Sequence, residues 1–245
     1  MIKKLKACLF DLGSTLMEYE KFSWVDMNRM GLSSGYKFLL RKNLHLPPFD
    51  ECAELFMKIY DDTKKEYDKE LREMRFYDLV VEAFSGIQLP TDRKFVLEFI
   101  SEYYHTISEI AKPIDGAVDL LKKLKSGGVK IVIVSNSIFP AYLHLNELEK
   151  YNIIPYVDGL IFSCEIGIKK PHPDIYMKAL EIAGCYPSEA VFIGDRFEED
   201  VIGPREVGIK SILKRKVGKE YPPEIEKYPI CDNLGEIKSL IGLRD

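Results

Sequence analysis

Ala7-Cys8-Leu9-Phe10-Asp11-Leu12-Gly13-Ser14-Thr15 is a short apolar run that stops on an acid and passes into glycine and hydroxyl residues. Such a run, broken by Gly-Ser-Thr, predicts a buried strand that ends at a turn. The backbone N–H groups of that turn can hold an anion, with Asp11 beside it. Alone the acid decides nothing, because an Asp after a strand is by default a turn former or helix cap.

Three later segments give it company. Val129-Lys130-Ile131-Val132-Ile133-Val134 is rich in β-branched residues and runs into the hydroxyl and amide of Ser135-Asn136. Gly167-Ile168-Lys169-Lys170-Pro171-His172-Pro173 places a lysine before a proline turn. Val191-Phe192-Ile193-Gly194-Asp195-Arg196-Phe197-Glu198-Glu199-Asp200 is again a buried-type strand that breaks into acids. Together they offer a carboxylate nucleophile, a hydroxyl donor, a cation and a group of acids suited to a hard metal ion.

In this order the four segments resemble the motifs of the haloacid dehalogenase-like hydrolase superfamily. Asp11 and Thr15 carry the first, Ser135-Asn136 the second, Lys170-Pro171 the third, and Gly194-Asp195 with Asp200 the fourth. The resemblance spans nearly the whole chain. It implies that Asp11 attacks the substrate and that Lys170 neutralises charge. Ser135 and Asn136, with Ser14 and Thr15 beside the nucleophile, would hold the phosphoryl oxygens. Mg2+ would be held by Asp11, the backbone carbonyl of Gly13 and Asp195, with Asp200 as a further ligand or as a supporting acceptor. The implied activity is a phosphatase acting through an aspartyl-phosphate on a small phosphorylated metabolite, a phosphomonoester or an acyl phosphate.

Gly13 departs from that pattern. Phosphatases of the family usually carry a second Asp there, serving as general acid and then as general base. Glycine can do neither, and a positioned acid or base is typically worth about 10²–10⁴-fold. The loss should tell most on poor leaving groups. Two other readings stay open. A 2-haloacid dehalogenase also lacks the second Asp and attacks carbon without a metal, and Arg41 is a candidate for recognising its halide or carboxylate. Against it, the resembled dehalogenases have Tyr where Gly13 stands and no acid equivalent to Asp195. The other is a protein that binds a phosphorylated ligand or a partner without turnover.

Between the first and second segments the pattern turns helical, over Trp24–Leu44, Phe49–Met74, Phe76–Phe84 and Phe95–Ile107, with Pro47-Pro48 and Leu89-Pro90-Thr91 as punctuation. Leu55, Phe56 and Ile59 share one helical face, with Asp61, Asp62, Lys64, Lys65 and Glu66 around them. Residues 17–109 therefore read as an inserted helical bundle, which in the resembled family is a cap that covers the site and selects the substrate. Residues 1–16 and 110–245 read as a Rossmann-like α/β core. There, helices near Ala117–Lys125, Ala141–Tyr151, Pro173–Ala183 and Glu198–Val207 alternate with strands at Val129, Leu160–Phe162, Val191 and Gly208–Leu213. Alternation of this kind implies a parallel sheet flanked by helices, with ligands beyond the carboxyl ends of its strands. After Lys214 the tail, with Pro222-Pro223 and Pro229, is expected to pack irregularly.

With 245 residues, 46% of them hydrophobic, the chain can bury one domain plus a large insertion. Its 35 basic and 39 acidic residues give a net charge of −4, which offers no electrostatic reason to expect nucleic acid or an anionic membrane as partner. No apolar run approaches the roughly 20 residues needed to cross a bilayer. Ile2-Lys3-Lys4-Leu5 runs directly into the first strand, so no removable signal is expected. Cys8, Cys52, Cys164, Cys185 and Cys231 contain no Cys-x-x-Cys pair, which speaks against a disulfide framework or a zinc site and for a reducing cytoplasm. His172, Glu18 and Glu20 are candidates to replace the missing acid. Arg41, Arg72, Arg75 and Arg93 could grip an anion from the bundle, and Tyr19, Phe22 and Trp24 could line a cleft. For these the default readings are solvated surface or core.

Overall fold

The first strand lies at the centre of a six-stranded sheet because its residues are apolar on both faces. In the computed structural model, which describes residues 5–19 and 23–242, β1 (Ala7–Phe10) sends Ala7 and Leu9 into one layer and Cys8 and Phe10 into the other. A strand covered on both sides reads as a continuous apolar run, as here. In chain order there follow β2 (Met17–Glu18), α1 (Trp24–Arg41), α2 (Phe49–Lys69), α3 (Phe76–Gly86), α4 (Arg93–Ile110) and β3 (Lys112–Pro113). Next come α5 (Ala117–Ser126), β4 (Lys130–Ser135), α6 (Ala141–Lys150), β5 (Gly159–Phe162), α7 (Ser163–Ile166), α8 (Pro173–Ala183) and β6 (Ala190–Gly194). The chain ends with α9 (Gly203–Glu206), β7 (Lys210–Lys214), β8 (Ile230–Cys231) and α10 (Ile237–Ile241).

The sheet order is β5-β4-β1-β6-β7-β8, with parallel pairing throughout. Leu120, Leu121 and Leu124 of α5, Leu148 of α6 and Ile237 of α10 cover one face. Ile175, Tyr176, Ala179 and Leu180 of α8 cover the other. The α/β expectation is therefore met, and the carboxyl ends of β1, β4 and β6 lie side by side.

Helices α1 to α4 pack around a core of their own, in which Phe76, Val96, Ile100 and Tyr103 are fully buried. Ile138 and Phe139, from the loop after β4, belong to the same cluster. Phe139 lies 4.7 Å from the Phe76 ring and 4.9 Å from that of Tyr104. The bundle thus sits against the segments that follow β4 and β5. Glu73 accepts from the Ser163 hydroxyl at 2.7 Å, Arg75 Nε donates to the Cys164 carbonyl at 3.2 Å, and Lys169 pairs with Asp68. The two chain crossings between sheet and bundle pair with each other as the antiparallel ribbon β2–β3.

One expectation is corrected and another refined. Beyond Lys214 the tail is not irregular. Leu213 and Lys214 pair with Ile230 and Cys231, and Leu234, Ile237 and Ile241 enter the main core. A two-residue strand and a five-residue helix are too short to show a hydrophobic period, so the sequence carries no pattern for them. The helix expected over Glu198–Val207 is present, but its first part, Phe197–Ile202, is π-helical and only α9 is α-helical. Pro204 has no N–H to continue the ladder, and a Cβ at Gly203 would crowd Pro171 at 2.8 Å. Among the described residues, no helix is long and apolar enough to cross a membrane. Because the tail is part of the core, Ile237→Ala should cost about 2–5 kcal/mol in denaturant unfolding. A change below about 0.5 kcal/mol, as at an ordinary surface position, would contradict that assignment.

Candidate active site

Asp11 follows β1 directly, and its N–H donates to the Ile193 carbonyl at 2.9 Å, so the central strand pairing fixes the acid. The chain then turns sharply: Ser14 adopts φ 57° and its N–H donates to the Met17 carbonyl at 2.7 Å. Thr15 Oγ1 donates to Asp11 Oδ2 at 3.2 Å, so this hydroxyl orients the acid. Ser14 Oγ is buried with no hydrogen-bond partner, while the Ser14 carbonyl accepts from Lys214 Nζ at 2.9 Å.

Lys170 connects the strand ends. Its Nζ donates to Asp11 Oδ1 and to Asp200 Oδ1, both at 2.7 Å, and its side chain is only 1% exposed. The Phe192 ring lies 5.2 Å from the ammonium. Burial works against the charge of Lys170, but the adjacent Asp11 and Asp200 overcome it and hold the ammonium above its ordinary value. The lysine is placed by Asn136: its Nδ2 donates to the Lys170 carbonyl at 2.9 Å and its Oδ1 accepts from the Lys170 N–H at 2.8 Å. The Asn136 amide thus holds both polar groups of the Lys170 backbone and positions the lysine. Ser135 ends β4 beside it, buried.

Carboxylate oxygens of Asp11, Asp195 and Asp200 lie within 4.8 Å of one another, all in buried residues. Both Asp200 oxygens are engaged: Oδ1 accepts from Lys170 and Oδ2 accepts from the Arg196 N–H at 2.8 Å. A Cβ at Gly194 would overlap its carboxyl group, so glycine is required there. Burial pushes the Asp200 carboxyl up to about 7 against the pull of Lys170. Burial and then the charge of Asp11 push Asp195 up as well. Lys219 Nζ binds Asp195 Oδ2 at 2.8 Å and its carbonyl at 3.1 Å, and the Tyr221 hydroxyl donates to the same carbonyl at 3.0 Å. Hard oxygen donors, buried and drawn together at the cost of mutual repulsion, fit a divalent cation.

Sequence reading misses Lys214, Lys219, Tyr221 and Asn136's grip on Lys170. Lys214 leaves one signal, a charged residue closing the apolar strand Ser211-Ile212-Leu213. Lys219 and Tyr221 lie in the loop beyond it and leave none. Of the alternative acids, His172 caps α8, accepting from the Asp174 N–H at 3.2 Å. Glu20 and Phe22 lie outside the described residues, as does the side chain of Trp24. Arg41 pairs with Glu102 at 3.0 Å on the exposed face of the bundle, Arg72 stacks over Tyr67, and Arg93 lines an outer groove with Phe38 and Tyr142. None of the three enters the Asp11 cluster. Tyr19 does approach it: its ring edge lies 3.8 Å from where a Gly13 Cβ would stand.

The chain is similar to known proteins over nearly its whole length. The chain is 26% identical over 97% of its length to glyceraldehyde 3-phosphate phosphatase of Methanocaldococcus jannaschii, covering 97% of that protein. It is 26% identical to ribulose-1,5-bisphosphate 5-phosphatase of Halopiger xanaduensis, over 96% of this chain and 99% of that one. The structure of 2-haloacid dehalogenase from Pseudomonas syringae superimposes with a TM-score of 0.73 at 18% identity, covering 97% of this chain and 98% of the other, a likeness of fold. The family described as haloacid dehalogenase-like hydrolase matches residues 5–208, and with Asp11 and Asp195 buried at its strand ends the chain belongs to that family of hydrolases.

Proposed function

We propose that the protein is a Mg2+-dependent phosphatase of small phosphorylated metabolites, sugar phosphates foremost. The observation that carries this reading is the Asp11 carboxylate, fixed by Lys170 and Thr15 within 4.8 Å of two further buried acids. Asp11 attacks phosphorus and forms an aspartyl-phosphate, which water then hydrolyses. Lys170 offsets the charge gathered at the phosphoryl group, and Ser135, with the Ser14–Thr15 turn, faces its oxygens. Asp11, the Gly13 carbonyl and Asp195 would hold Mg2+, with Asp200, which bonds Lys170 and the Arg196 N–H, behind them as a supporting acceptor. When bound, the ion supplies Lewis-acid charge to a phosphoryl oxygen.

The relatives named for glyceraldehyde 3-phosphate and ribulose 1,5-bisphosphate support a short phosphorylated sugar as substrate. Residues 17–109 act as the cap that selects it. This is supported by the bundle's seat on the loops after β4 and β5. The absence of disulfides among the described cysteines accords with a cytoplasmic site of action. Dehalogenation is the second reading, favoured by the missing acid at Gly13. It is weakened by Arg41, which is held on the outer face by Glu102, and by the buried Asp195.

Inorganic phosphate release from a panel of sugar, acyl and aryl phosphates should require Mg2+, and Asp11→Asn should abolish it. Asp11→Asn with unchanged turnover would sink the mechanism, and a folded wild type silent on every phosphate but active on 2-haloacids would establish the second reading. Mg2+ should also raise the melting temperature, since a ligand that binds only the native state stabilises it by RT ln(1 + [L]/Kd). Asp195→Asn should erase that shift. A shift of equal size in the variant would remove Asp195 from the metal site.

A further inference from the structure

Lys170 holds two acids of the buried cluster and leaves the third to another lysine. Its ammonium bonds Asp11 and Asp200, whereas Asp195 is hydrogen-bonded to Lys219, which reaches it from the loop after β7. Lys219 Nζ donates to Asp195 Oδ2 at 2.8 Å and to the Asp195 carbonyl at 3.1 Å. Among the described residues, Asp195 Oδ1 takes no hydrogen bond. One oxygen of the carboxylate is thus pinned from the β7 side, and the other is left for a further partner.

The loop that carries Lys219 is itself closed on Asp195. Arg215 anchors its start: the Arg215 N–H donates to the Cys231 carbonyl at 2.8 Å, and the guanidinium pairs with both oxygens of Asp232, at 2.7 and 3.0 Å. The chain then turns over Lys216–Lys219. The Lys219 N–H donates to the Lys216 carbonyl at 3.2 Å, and Gly218, at φ 80°, supplies the left-handed conformation that the third position of such turns favours. Tyr221 completes the closure, since its hydroxyl accepts from the Lys216 N–H at 3.0 Å and donates to the Asp195 carbonyl at 3.0 Å. One short turn therefore meets Asp195 through three hydrogen bonds, two from Lys219 and one from Tyr221. Asp195 needs such a holder. It is buried with its carboxylate close to those of Asp11 and Asp200, and like charges with little water between them repel strongly. A carboxylate free to rotate would swing away from its neighbours and cease to offer an oxygen to a shared ion.

We propose that Lys219 is a positioning residue for the metal: by holding Oδ2 and the backbone carbonyl of Asp195, it leaves Oδ1 as the oxygen that Asp195 offers to the cation. This rests on the Mg2+-dependent reading above. Two effects of Lys219 oppose each other there, because its charge repels a second cation while its hydrogen bonds fix a ligand. The Lys219 side chain is 33% exposed against 5% for that of Asp195. Water and salt screen the repulsion of an ammonium that exposed, whereas its grip on the buried carboxylate is direct. Positioning prevails, and outer partners of metal ligands are typically worth about 10–100-fold in affinity.

The test is the Kd for Mg2+, measured by isothermal titration calorimetry on the full-length protein beside its metal-free melting temperature. Lys219→Met, which keeps the aliphatic stem and removes the ammonium, should raise that Kd about 10–100-fold. Lys219→Arg, which still donates to the carboxylate, should bind Mg2+ more nearly as the wild type does. A Lys219→Met protein with an unmoved Kd and only a lower melting temperature makes Lys219 a structural contact and overturns the proposal. A Kd that falls overturns it too, because the ammonium would then be a competitor of the ion and not a support for its ligand. Should Lys219→Met fail to fold, Tyr221→Phe, which opens the same turn and removes one bond to the Asp195 carbonyl, decides the matter: the Kd should rise, and an unchanged one overturns the proposal. A wild type that binds no Mg2+ refutes the metal-dependent reading itself, whereas a wild type that binds it with an affinity indifferent to Lys219 refutes only the role of the lysine.

Discussion

One ammonium group makes the strand ends of this protein compatible. Asp11, Asp195 and Asp200 are buried with carboxylate oxygens inside a 4.8 Å circle, where like charges repel strongly because little water screens them. Removing the partner of a buried ion typically costs about 3–5 kcal/mol. Lys170 bonds to two of the three acids at once and lies over the Phe192 ring. Everything that places Lys170 therefore places the site. Asn136 grips the lysine's own backbone from the end of β4, and the Arg196 N–H fixes Asp200 from the far side, after β6. Three strand ends and the loop before α8 become one rigid arrangement through a single charge.

Around that centre the two flanks differ in chemistry. The β6 flank is ionic: Lys219 and Tyr221 converge on Asp195. The β4 flank is a chain of hydroxyl, imidazole and carboxyl groups that also reaches the helical bundle. Glu73 of the bundle accepts from Ser163, Ser163 accepts from the Ser137 N–H, and Ser137 Oγ meets His144, which Tyr104 of α4 touches from above. Polar groups so linked are held by one another, and their positions are more sharply defined than isolated pairs would be. The bundle that we read as the substrate-selecting cap is thereby joined to the β4 flank of the site.

The parts of this arrangement that are legible in the sequence are those with a local signature. Asp11, Ser135, Lys170 and Asp195 each follow a run that can only be a buried strand or stand beside a glycine or proline break, and parallel topology brings such breaks to one edge. The alternation of helix and strand patterns likewise marks out the main sheet. What is illegible depends on contacts between distant residues of unremarkable type. Glu147 and His144 sit on an ordinary amphipathic helix, and nothing in Ala141-Tyr142-Leu143-His144-Leu145-Asn146-Glu147 marks two of its polar residues as buried. Tyr19 reads as a core aromatic. Asn136, following Ser135, reads as a substrate-facing group, whereas its amide geometry turns it to the Lys170 backbone. The β8 strand and α10 escape the sequence reading because elements this short have no period to detect.

Two glycines of the site show how packing and chemistry can be told apart. Gly194 is dictated by space, since any side chain there would collide with the Asp200 carboxyl group that Lys170 needs. Gly13 is not dictated by space: it has no left-handed backbone requirement, and a Cβ would make only an ordinary contact with Tyr19. Nor does it serve the turn, whose unusual backbone falls on Ser14. Sterics therefore leave position 13 open to a carboxylate, and the sequence has none. The nearest side chain to the open space belongs to a tyrosine whose hydroxyl is held by a fully buried glutamate, itself bonded through only one of its two oxygens. A bundle core needs no such pair, because a phenylalanine facing a leucine would fill the same volume without burying a carboxyl group. The Tyr19 hydroxyl supplies one of the hydrogen bonds that the buried Glu147 carboxyl group needs, so the two residues are held in place together.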